Sequence, residues 1–384
     1  MEDEKIPFWR DSRVLRIVGQ VVALLIVLTI IFFLGNNLVN NFQRLGLTFG
    51  FNFLDRSASF GIANPPIAYS SNDPYTKAIL VGLINSLRVM FFGIIIALLL
   101  GIIVGISRLS DNWLLRQLAT IYVETLRNTP LLLQLFFWYF AVFLKLPRID
   151  NPLTFGRWVF LTNRGLDIPW FGNPQQTWLG LGVIILSIVL LVVLWRRRIY
   201  AVEEQGESGQ IWSWLLIAVA IAAMVIFCFG LDWDIPELNN NNIAGGLNLS
   251  PEFATLLIGL SVYTAAFIAE VVRAGIQSVS QGQWEAARAL GLQPGLVMQL
   301  IIFPQALRVM IPPLTSEFLN LAKNSSLAIA IGYNDIYSIS NTVANQTGRS
   351  LEMLLIVITT YLTINLIISL GMNWFNRVVQ IKER

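Results

Sequence analysis

Long apolar runs, separated by polar segments rich in proline, glycine and asparagine, dominate the chain. A run of about 20 apolar residues can cross a bilayer as a helix, so each run predicts a membrane span. No cleavable signal peptide is evident, because the first run is long enough to remain as a span. The pattern predicts about eight spans, at roughly residues 17–34, 80–106, 118–144, 178–195, 211–231, 251–276, 307–331 and 351–375.

Three local signals refine this pattern. Pro130 interrupts the third run, and because proline removes a helical hydrogen bond, it predicts a kink or a break there. Gly101 and Gly105 form a GxxxG motif in the second run, which lets another helix approach closely. Ser250 and Pro251 precede the sixth run as a cap and a first-turn proline, so they predict its start.

Composition supports a membrane protein and excludes several kinds of site. The 384 residues are 55% hydrophobic and 13% charged, with a mean hydropathy of +0.64, whereas soluble domains are about 25% charged. The net charge of +3 and the pI near 9.1 do not indicate nucleic-acid binding. The chain has no histidine and one cysteine, Cys228, which excludes a His-Cys metal site, a histidine base and an intrachain disulfide. We therefore expect no cofactor and no metal.

The distribution of basic residues predicts the orientation. Lysine and arginine favour the side of the N-terminus by about two to one, which places both termini in the cytoplasm. The loop of residues 145–177 runs against this bias with four basic residues on the outer side, but long loops count for less in this rule.

One segment of the second half, residues 282–304, has a helix-forming sequence that cannot sit in lipid. Residues 285–287 (Glu-Ala-Ala) start a helical turn, Gly291 is suited to end it, and Pro294 can begin the next turn. The predicted orientation places this segment in the cytoplasm. On the residues alone it is either an ordinary interfacial loop helix or a docking surface, because small alanines and one carboxylate admit close approach by another protein.

Polar residues inside the predicted spans are a second signal, because they are costly in lipid and usually face a pathway or another helix. Glu270 and Arg273 are three residues apart in the sixth span and are expected to form a structural ion pair. Glu317, Asn320 and Asn324 share one face of the seventh span. A polar stripe this dense is expected to line a pathway or a subunit interface, and the residues do not choose between the two.

Four stretches, in the same order, resemble the permease subunits of bacterial ABC importers for polar amino acids. The spacing of Glu-Ala-Ala, Gly291 and Pro304 in residues 282–304 resembles the EAA loop of that family, with Phe303 where the family usually has leucine. The other three stretches are residues 127–137, 263–275 and 323–327.

The resemblance implies an all-α integral membrane protein with the five-helix core of type I ABC importers plus extra helices. The core would comprise residues 78–148 and 251–384, the second part containing the coupling loop 282–304. Residues 1–77 would hold an N-terminal tail, an extra helix and an outer loop, and residues 149–250 an inserted loop and two extra helices. These extra segments resemble the long permeases of general or neutral L-amino-acid importers.

The resemblance also implies partners. A permease of this kind spans the bacterial inner membrane and pairs with a second permease chain, either a related chain or a copy of itself. It docks onto an ABC ATPase subunit and receives L-amino acids from an extracytoplasmic amino-acid-binding protein. The chain contains no Gly-x-x-x-x-Gly-Lys-Ser/Thr motif, so ATP hydrolysis would belong to a partner and the chain would be non-catalytic. The residues implied in coupling to the ATPase are Glu285, Ala286, Ala287, Gly291 and Pro304.

A zwitterionic substrate needs a donor for its carboxylate and an acceptor for its ammonium group. Gln134, Thr264, Asn320 and Ser325 are polar and lie at suitable depth in the predicted spans, so they are candidates for the substrate path. In some permeases of this family the binding protein is the main selectivity filter, and these positions would then only ease passage.

The alternative function is an ion-gradient-driven secondary amino-acid transporter, in which Glu270 and Glu317 would carry protons or sodium ions. That alternative leaves residues 282–304 without a role, and the two halves of the chain show no inverted repeat.

Overall fold

The computed structural model describes residues 12–44, 49–156, 158–203, 210–239 and 242–379, which are mostly helical. Residues 1–11 and 380–384, to which the predicted location of the termini refers, lie outside the described residues. The helices in chain order are α1 (Ser12–Arg44), α2 (Tyr75–Ser107), α3 (Trp113–Arg127), α4 (Leu131–Phe136), α5 (Pro174–Glu203), α6 (Gln210–Phe229), α7 (Pro251–Gln277), α8 (Gln281–Ala289), α9 (Pro294–Val297), α10 (Phe303–Asn324), α11 (Ile336–Thr347) and α12 (Ser350–Val379).

Shorter elements connect the helices. Tight 3₁₀ turns occur at Asn52–Asp55, Phe143–Lys145 and Ser325–Ile331, and π-helical turns occur at Phe137–Val142 and Met298–Ile302. The strands are β1 (Leu153–Phe155), β2 (Val159–Thr162), β3 (Gly165–Ile168), β4 (Trp170–Phe171), β5 (Trp233–Asp234), β6 (Glu237–Asn239), β7 (Asn242–Ala244) and β8 (Leu247–Leu249).

Within the described residues, seven helical segments are long and apolar enough to cross a membrane, against about eight predicted spans. The difference lies in the third predicted span, residues 118–144. Here α3 ends at Arg127 and α4 starts after Pro130, so the predicted break at this proline is confirmed. The apolar segment beyond the break, Leu131–Lys145, is too short to count as a span by itself.

Helices α2 and α7 form the centre of the bundle and run parallel to each other. The contact depends on glycine: a Cβ atom at Gly101 would lie 2.5 Å from Ile268 Cγ2, and one at Gly105 would lie 2.8 Å from the carbonyl oxygen of Ala269. The predicted close approach at the GxxxG motif is therefore confirmed, and its partner is α7.

Helix α10 extends this core towards the end of the bundle that carries α8 and α9, which we call the loop end. Val272 and Ile276 of α7, Met310 of α10 and Ala287 of α8 belong to one buried cluster. The π-helical turn Met298–Ile302 joins α9 to α10, so the apolar segment begins at Pro294 rather than near residue 307 as predicted.

Strands occupy the opposite end of the bundle, which we call the sheet end. Four strands form an antiparallel sheet in the order β1-β2-β3-β8, and β4–β5 and β6–β7 form two further pairs. Leu166 of β3 lies opposite Leu249 of β8, so the chain before α5 and the chain after α6 meet in one sheet. The sequence pattern predicted only loops in both places.

Candidate coupling loop and translocation core

Helix α8 carries the residues expected to couple the chain to an ATPase. It begins at Gln281, about one turn before Glu285, and the chain leaves it through Gly291. Gly291 has φ +71°, the left-handed conformation that glycine adopts without strain. Pro294 then occupies the first turn of α9, so the predicted turn chemistry is confirmed.

The two faces of α8 differ sharply in exposure. Ala287 is 1% exposed and packs into the core cluster, with Trp284 partly buried beside it. Glu285 and Ala286 are exposed, and Leu290 just beyond the helix is 78% exposed. Ala287 therefore anchors α8 to its own chain, while Ala286 is accessible, and the role of both alanines in coupling stays a prediction.

Pro304 lies in the first turn of α10, directly after the π-helical turn Met298–Ile302. Proline lacks an N–H and its ring crowds the carbonyl four residues earlier, and a π-helical turn widens the backbone at that point. Gln305 supports the junction: its Nε2 donates to Ile301 O at 2.9 Å and to Gln283 Oε1 of α8 at 3.4 Å. The junction therefore connects α8 directly to α10.

Glu270 of α7 is the centre of a charged cluster near the loop end. Its carboxylate accepts hydrogen bonds from Arg273, one turn later, and from Arg108, which follows α2. Arg127 at the end of α3 lies 4.0 Å away. Glu124 also reaches Arg108, at 3.7 Å. The cluster ties three helices together.

Sequence reasoning paired Glu270 with Arg273 alone. Arg108 and Arg127 were counted there as basic residues flanking apolar runs, which indicate orientation. Arg108 is 162 positions from Glu270 in the chain, so no local spacing could have paired them. The sequence offered one signal for this cluster: Arg108 and Arg127 lie at the ends of predicted helices, and Glu270 lies near the end of another.

Three of the four candidate path residues are enclosed by their own chain. Gln134 is buried, and its Nε2 donates to Leu126 O and Thr129 O, both at 2.9 Å, across the break before α4. Ser325 is buried and donates to Ala322 O at 2.8 Å. Thr264 is buried in α7, whereas Asn320 is exposed on α10. The role of these four residues in a substrate path stays a prediction.

A second broken helix lies beside α2 at the sheet end. After the 3₁₀ turn Ser325–Ile331, Gly332 adopts φ +77° and Asp335 caps α11 by accepting from Ser338 N at 2.8 Å. Two side chains of α2 hold this break in place. Asn85 Nδ2 donates to Asn334 O at 2.9 Å, and Ser86 Oγ accepts from Ile336 N at 3.0 Å. Helices interrupted at membrane depth are typical of transport proteins.

Comparison with known proteins gives a consistent result over the whole chain. Residues 97–381 match the family described as "Binding-protein-dependent transport system inner membrane component". The chain is similar to the permease protein YhdX of Escherichia coli (strain K12), with 47% identity covering 95% of this chain and 94% of the relative.

Two further relatives are permease proteins of amino-acid transport systems. The general L-amino acid transport system permease protein AapQ of Rhizobium johnstonii is 39% identical, over 97% of this chain and 94% of AapQ. The glutamate/glutamine/aspartate/asparagine transport system permease protein BztB of Rhodobacter capsulatus is 41% identical, over 97% of this chain and 96% of BztB. The chain is therefore a multi-pass membrane protein that belongs to the family of binding-protein-dependent transport system inner membrane components.

Proposed function

We propose that this chain is the permease subunit of an ATP-driven importer that carries L-amino acids into the cytoplasm. The names of its relatives AapQ and BztB support this substrate class. The observation that carries the proposal is the build of α8: one face is exposed, and the other is packed against the helices of the translocation core.

The exposed face of α8 would be the docking surface for a separate ABC ATPase subunit. Within the described part of the chain, the carboxylate of Glu285 makes no ion pair or hydrogen bond, so it is free to meet a partner. Ala286 adds little bulk next to it, and Leu290 offers an apolar side chain that is 78% exposed. A central apolar anchor beside a charged contact is a common arrangement in protein interfaces.

Coupling follows from what the buried face of α8 contacts. Ala287 shares a cluster with Val272 of α7 and Met310 of α10. Close-packed interiors transmit displacement because they have few voids to absorb it. A shift of α8, driven by closure of the ATPase subunits, would therefore move α7 and α10, and the breaks in the chain at Pro130 and Gly332 would allow the helices to bend.

The orientation completes the proposal. The bias of basic residues puts the loop end in the cytoplasm, where an ATPase can reach α8. The sheet end then faces outwards, where an amino-acid-binding protein would deliver substrate. Residues 78–148 and 251–384 would form the transport core, paired with a second permease chain, and residues 1–77 and 149–250 would be additions to it.

The test uses the full importer in proteoliposomes and two substitutions, Glu285→Lys on α8 and Leu290→Ala just beyond it. We expect both to lower co-purification of the ATPase and ATP-dependent uptake, since each removes a contact of the exposed face. Asp111→Lys and Leu114→Ala are matched controls, because Asp111 and Leu114 are exposed at the loop end outside α8. Unchanged ATPase association in both α8 variants would refute the coupling role. Uptake that survives ATP depletion but collapses with an uncoupler would instead establish a secondary transporter.

A further inference from the structure

A small polar pocket lies at the sheet end, and its lining includes none of the four path candidates. It has a volume of about 110 Å³ and lies between α2, the start of α7 and the break before α11. Its lining includes Asn85, Arg88, Glu252 and Tyr333. A larger cleft of about 690 Å³ adjoins it and shares Arg88 and four other lining residues with it.

Arg88 is the unusual member of this pocket. It lies 13 residues after the start of α2, about 20 Å along the helix, inside a segment apolar enough to span a membrane. Its guanidinium lies 5.0 Å from the ring centroid of Phe253. Among the described residues it forms no hydrogen bond and no ion pair with a carboxylate. A cation at such a position is costly, and it usually marks a ligand or an ion path.

Glu252 supplies the opposite charge in the same pocket. One oxygen, Oε1, accepts from the hydroxyl of Tyr139 at 2.9 Å. The other oxygen accepts no hydrogen bond from the described part of the chain, and the carboxylate forms no ion pair with Arg88. The pocket thus presents one cation and one anion, from two different helices, with unused hydrogen-bonding capacity on both.

We propose that this pocket binds the charged head of a free L-amino acid, as a reception site on the outer side of the core. Arg88 would hold the α-carboxylate, which a guanidinium can bind with two parallel hydrogen bonds. Glu252 would hold the α-ammonium group. The proposal rests on the proposed function as an amino-acid importer.

The adjoining cleft would receive the substrate side chain. Its lining is largely apolar and includes Ile84, Phe92, Trp170 and Leu257. An uncharged apolar side chain would be stabilised there by burial, whereas a charged one would have no partner. The site should therefore favour neutral amino acids. A lipid phosphate could also be drawn to Arg88, but Glu252 in the same pocket would repel it.

Two substitutions test the site with little change in shape. Glu252→Gln removes the charge and keeps an oxygen acceptor for Tyr139, and Arg88→Gln removes the guanidinium. In the full importer in proteoliposomes, with radiolabelled L-alanine, L-leucine and L-glutamate as probes, we expect uptake kcat/KM to fall on the order of 10- to 100-fold, the effect of losing one charged hydrogen bond. Arg88→Lys should recover part of the loss.

Matched controls carry the same chemical changes elsewhere on the sheet end. Arg56→Gln and Glu237→Gln alter exposed residues outside the pocket and should leave uptake unchanged. Tyr139→Phe removes the hydrogen bond to Glu252 but keeps its charge, so it should cost much less than Glu252→Gln. If both pocket variants transported as well as these controls, the site would be refuted while the importer function stood. If the unaltered importer transported none of the probes, the proposed function itself would fail.

A binding measurement separates recognition from a structural role. The detergent-purified importer, without its binding protein, should bind the best transported amino acid at least about tenfold more tightly than the corresponding amino-acid amide, which lacks the carboxylate. Arg88→Gln should reduce this preference to near unity. An unchanged preference would contradict the role of Arg88. Loss of co-purifying phospholipid, with amino-acid binding intact, would also contradict the proposal and identify a lipid site.

Discussion

Helices α6 and α7 are both apolar enough to cross a membrane, yet they differ in what they bury. The most apolar window of α6 has a hydropathy of 2.5 and none of it is buried within the chain. The corresponding window of α7 has a lower hydropathy, 1.9, and is 61% buried. The less apolar helix is therefore the better packed one, the reverse of the rule for soluble proteins.

The composition of α7 explains this reversal. Lipid tails are as apolar as leucine, so apolar surface alone does not drive helices together in a membrane. Helix α7 instead offers small residues such as Ala265 and Ala269, which admit α2, and the charge of Glu270, which binds arginines of neighbouring helices. Helix α6 offers a nearly uniform apolar surface and packs mainly on α5. Helix α7 thus packs through small and charged residues, whereas α6 leaves an apolar surface uncovered by the described part of its own chain.

The largest expected effect comes from placing a bulky side chain at a glycine in the α2–α7 contact and at a glycine of α5. Leucine at Gly105 would meet Ala269 O and Val272 Cβ, each 2.8 Å from the new Cβ, and backbone atoms cannot move aside as a flexible side chain can. We expect Gly105→Leu to destabilise the chain by about 1–3 kcal/mol or more. Gly182 of α5 has nothing within 4 Å, so Gly182→Leu should leave stability unchanged. Thermal unfolding of the purified chain in detergent measures both, and equal shifts would contradict the contrast.

The charged cluster of the core gives the next largest effect. Glu270→Gln would leave Arg108, whose side chain is only 11% exposed, with the more distant Glu124 as its anionic partner. The cost should lie between that of a surface pair and that of a buried pair, about 1–2 kcal/mol. Removal of both partners in an Arg108→Gln, Glu270→Gln double variant should cost less than the sum of the single changes. Strict additivity in the same unfolding experiment would show that the pair contributes nothing.

The break before α4 provides a smaller effect. Gln134→Leu should leave the carbonyls of Leu126 and Thr129 without their amide donor and cost about 1 kcal/mol. The same substitution distinguishes the two roles of this residue. If Gln134 only satisfies the carbonyls at the break, uptake per folded molecule should be unchanged. A loss of uptake without a loss of stability would instead support a role for Gln134 in the substrate path.

The sequence was sufficient where the determining interaction is local. Apolar runs predicted seven of the observed spans, six of them close to their observed ends; Pro130 predicted the break, and Gly291 predicted the end of α8. The sequence was insufficient where the local structure depends on contacts between segments that are distant in the chain. The strands are two to four residues long and depend on pairings such as Leu166 with Leu249, which no periodicity records.

The site shows the same division. The spacing of residues 285–291 identified α8, but which side of the helix faces inwards depends on its contact with α7 and α10, and Ala287 proved to be buried. Gln134 was selected because it is polar at membrane depth. That property does not distinguish a substrate ligand from a side chain that satisfies broken backbone, since both need the same amide.

The smallest predicted effect is a pH dependence of stability at the sheet end. The apolar contacts between α2 and α7 should show no such dependence. Burial raises the pKa of Asp167 in β3 above its ordinary value of 3.8, although its hydrogen bond from Asn248 Nδ2 at 2.7 Å acts in the opposite direction. The folded sheet therefore favours the protonated carboxyl. This contribution to stability is present below the unfolded pKa and is lost as pH rises through the raised folded value. Protection of the β3 and β8 amides from hydrogen exchange, relative to unstructured peptide rates, should thus decline as the pH rises above the ordinary pKa of an aspartate.

Asp167→Asn should flatten that decline, because it keeps an oxygen acceptor for Asn248 and carries no titratable charge. Asp73 offers a contrast of opposite sign in the same region. The hydrogen bond from Lys77 lowers the pKa of Asp73, so its contribution is present above the unfolded pKa and is lost as pH falls. Amides of α7 should not respond to Asp167→Asn. A slope in the sheet that persists in the Asp167→Asn variant would show that this carboxyl is not the source of the pH dependence.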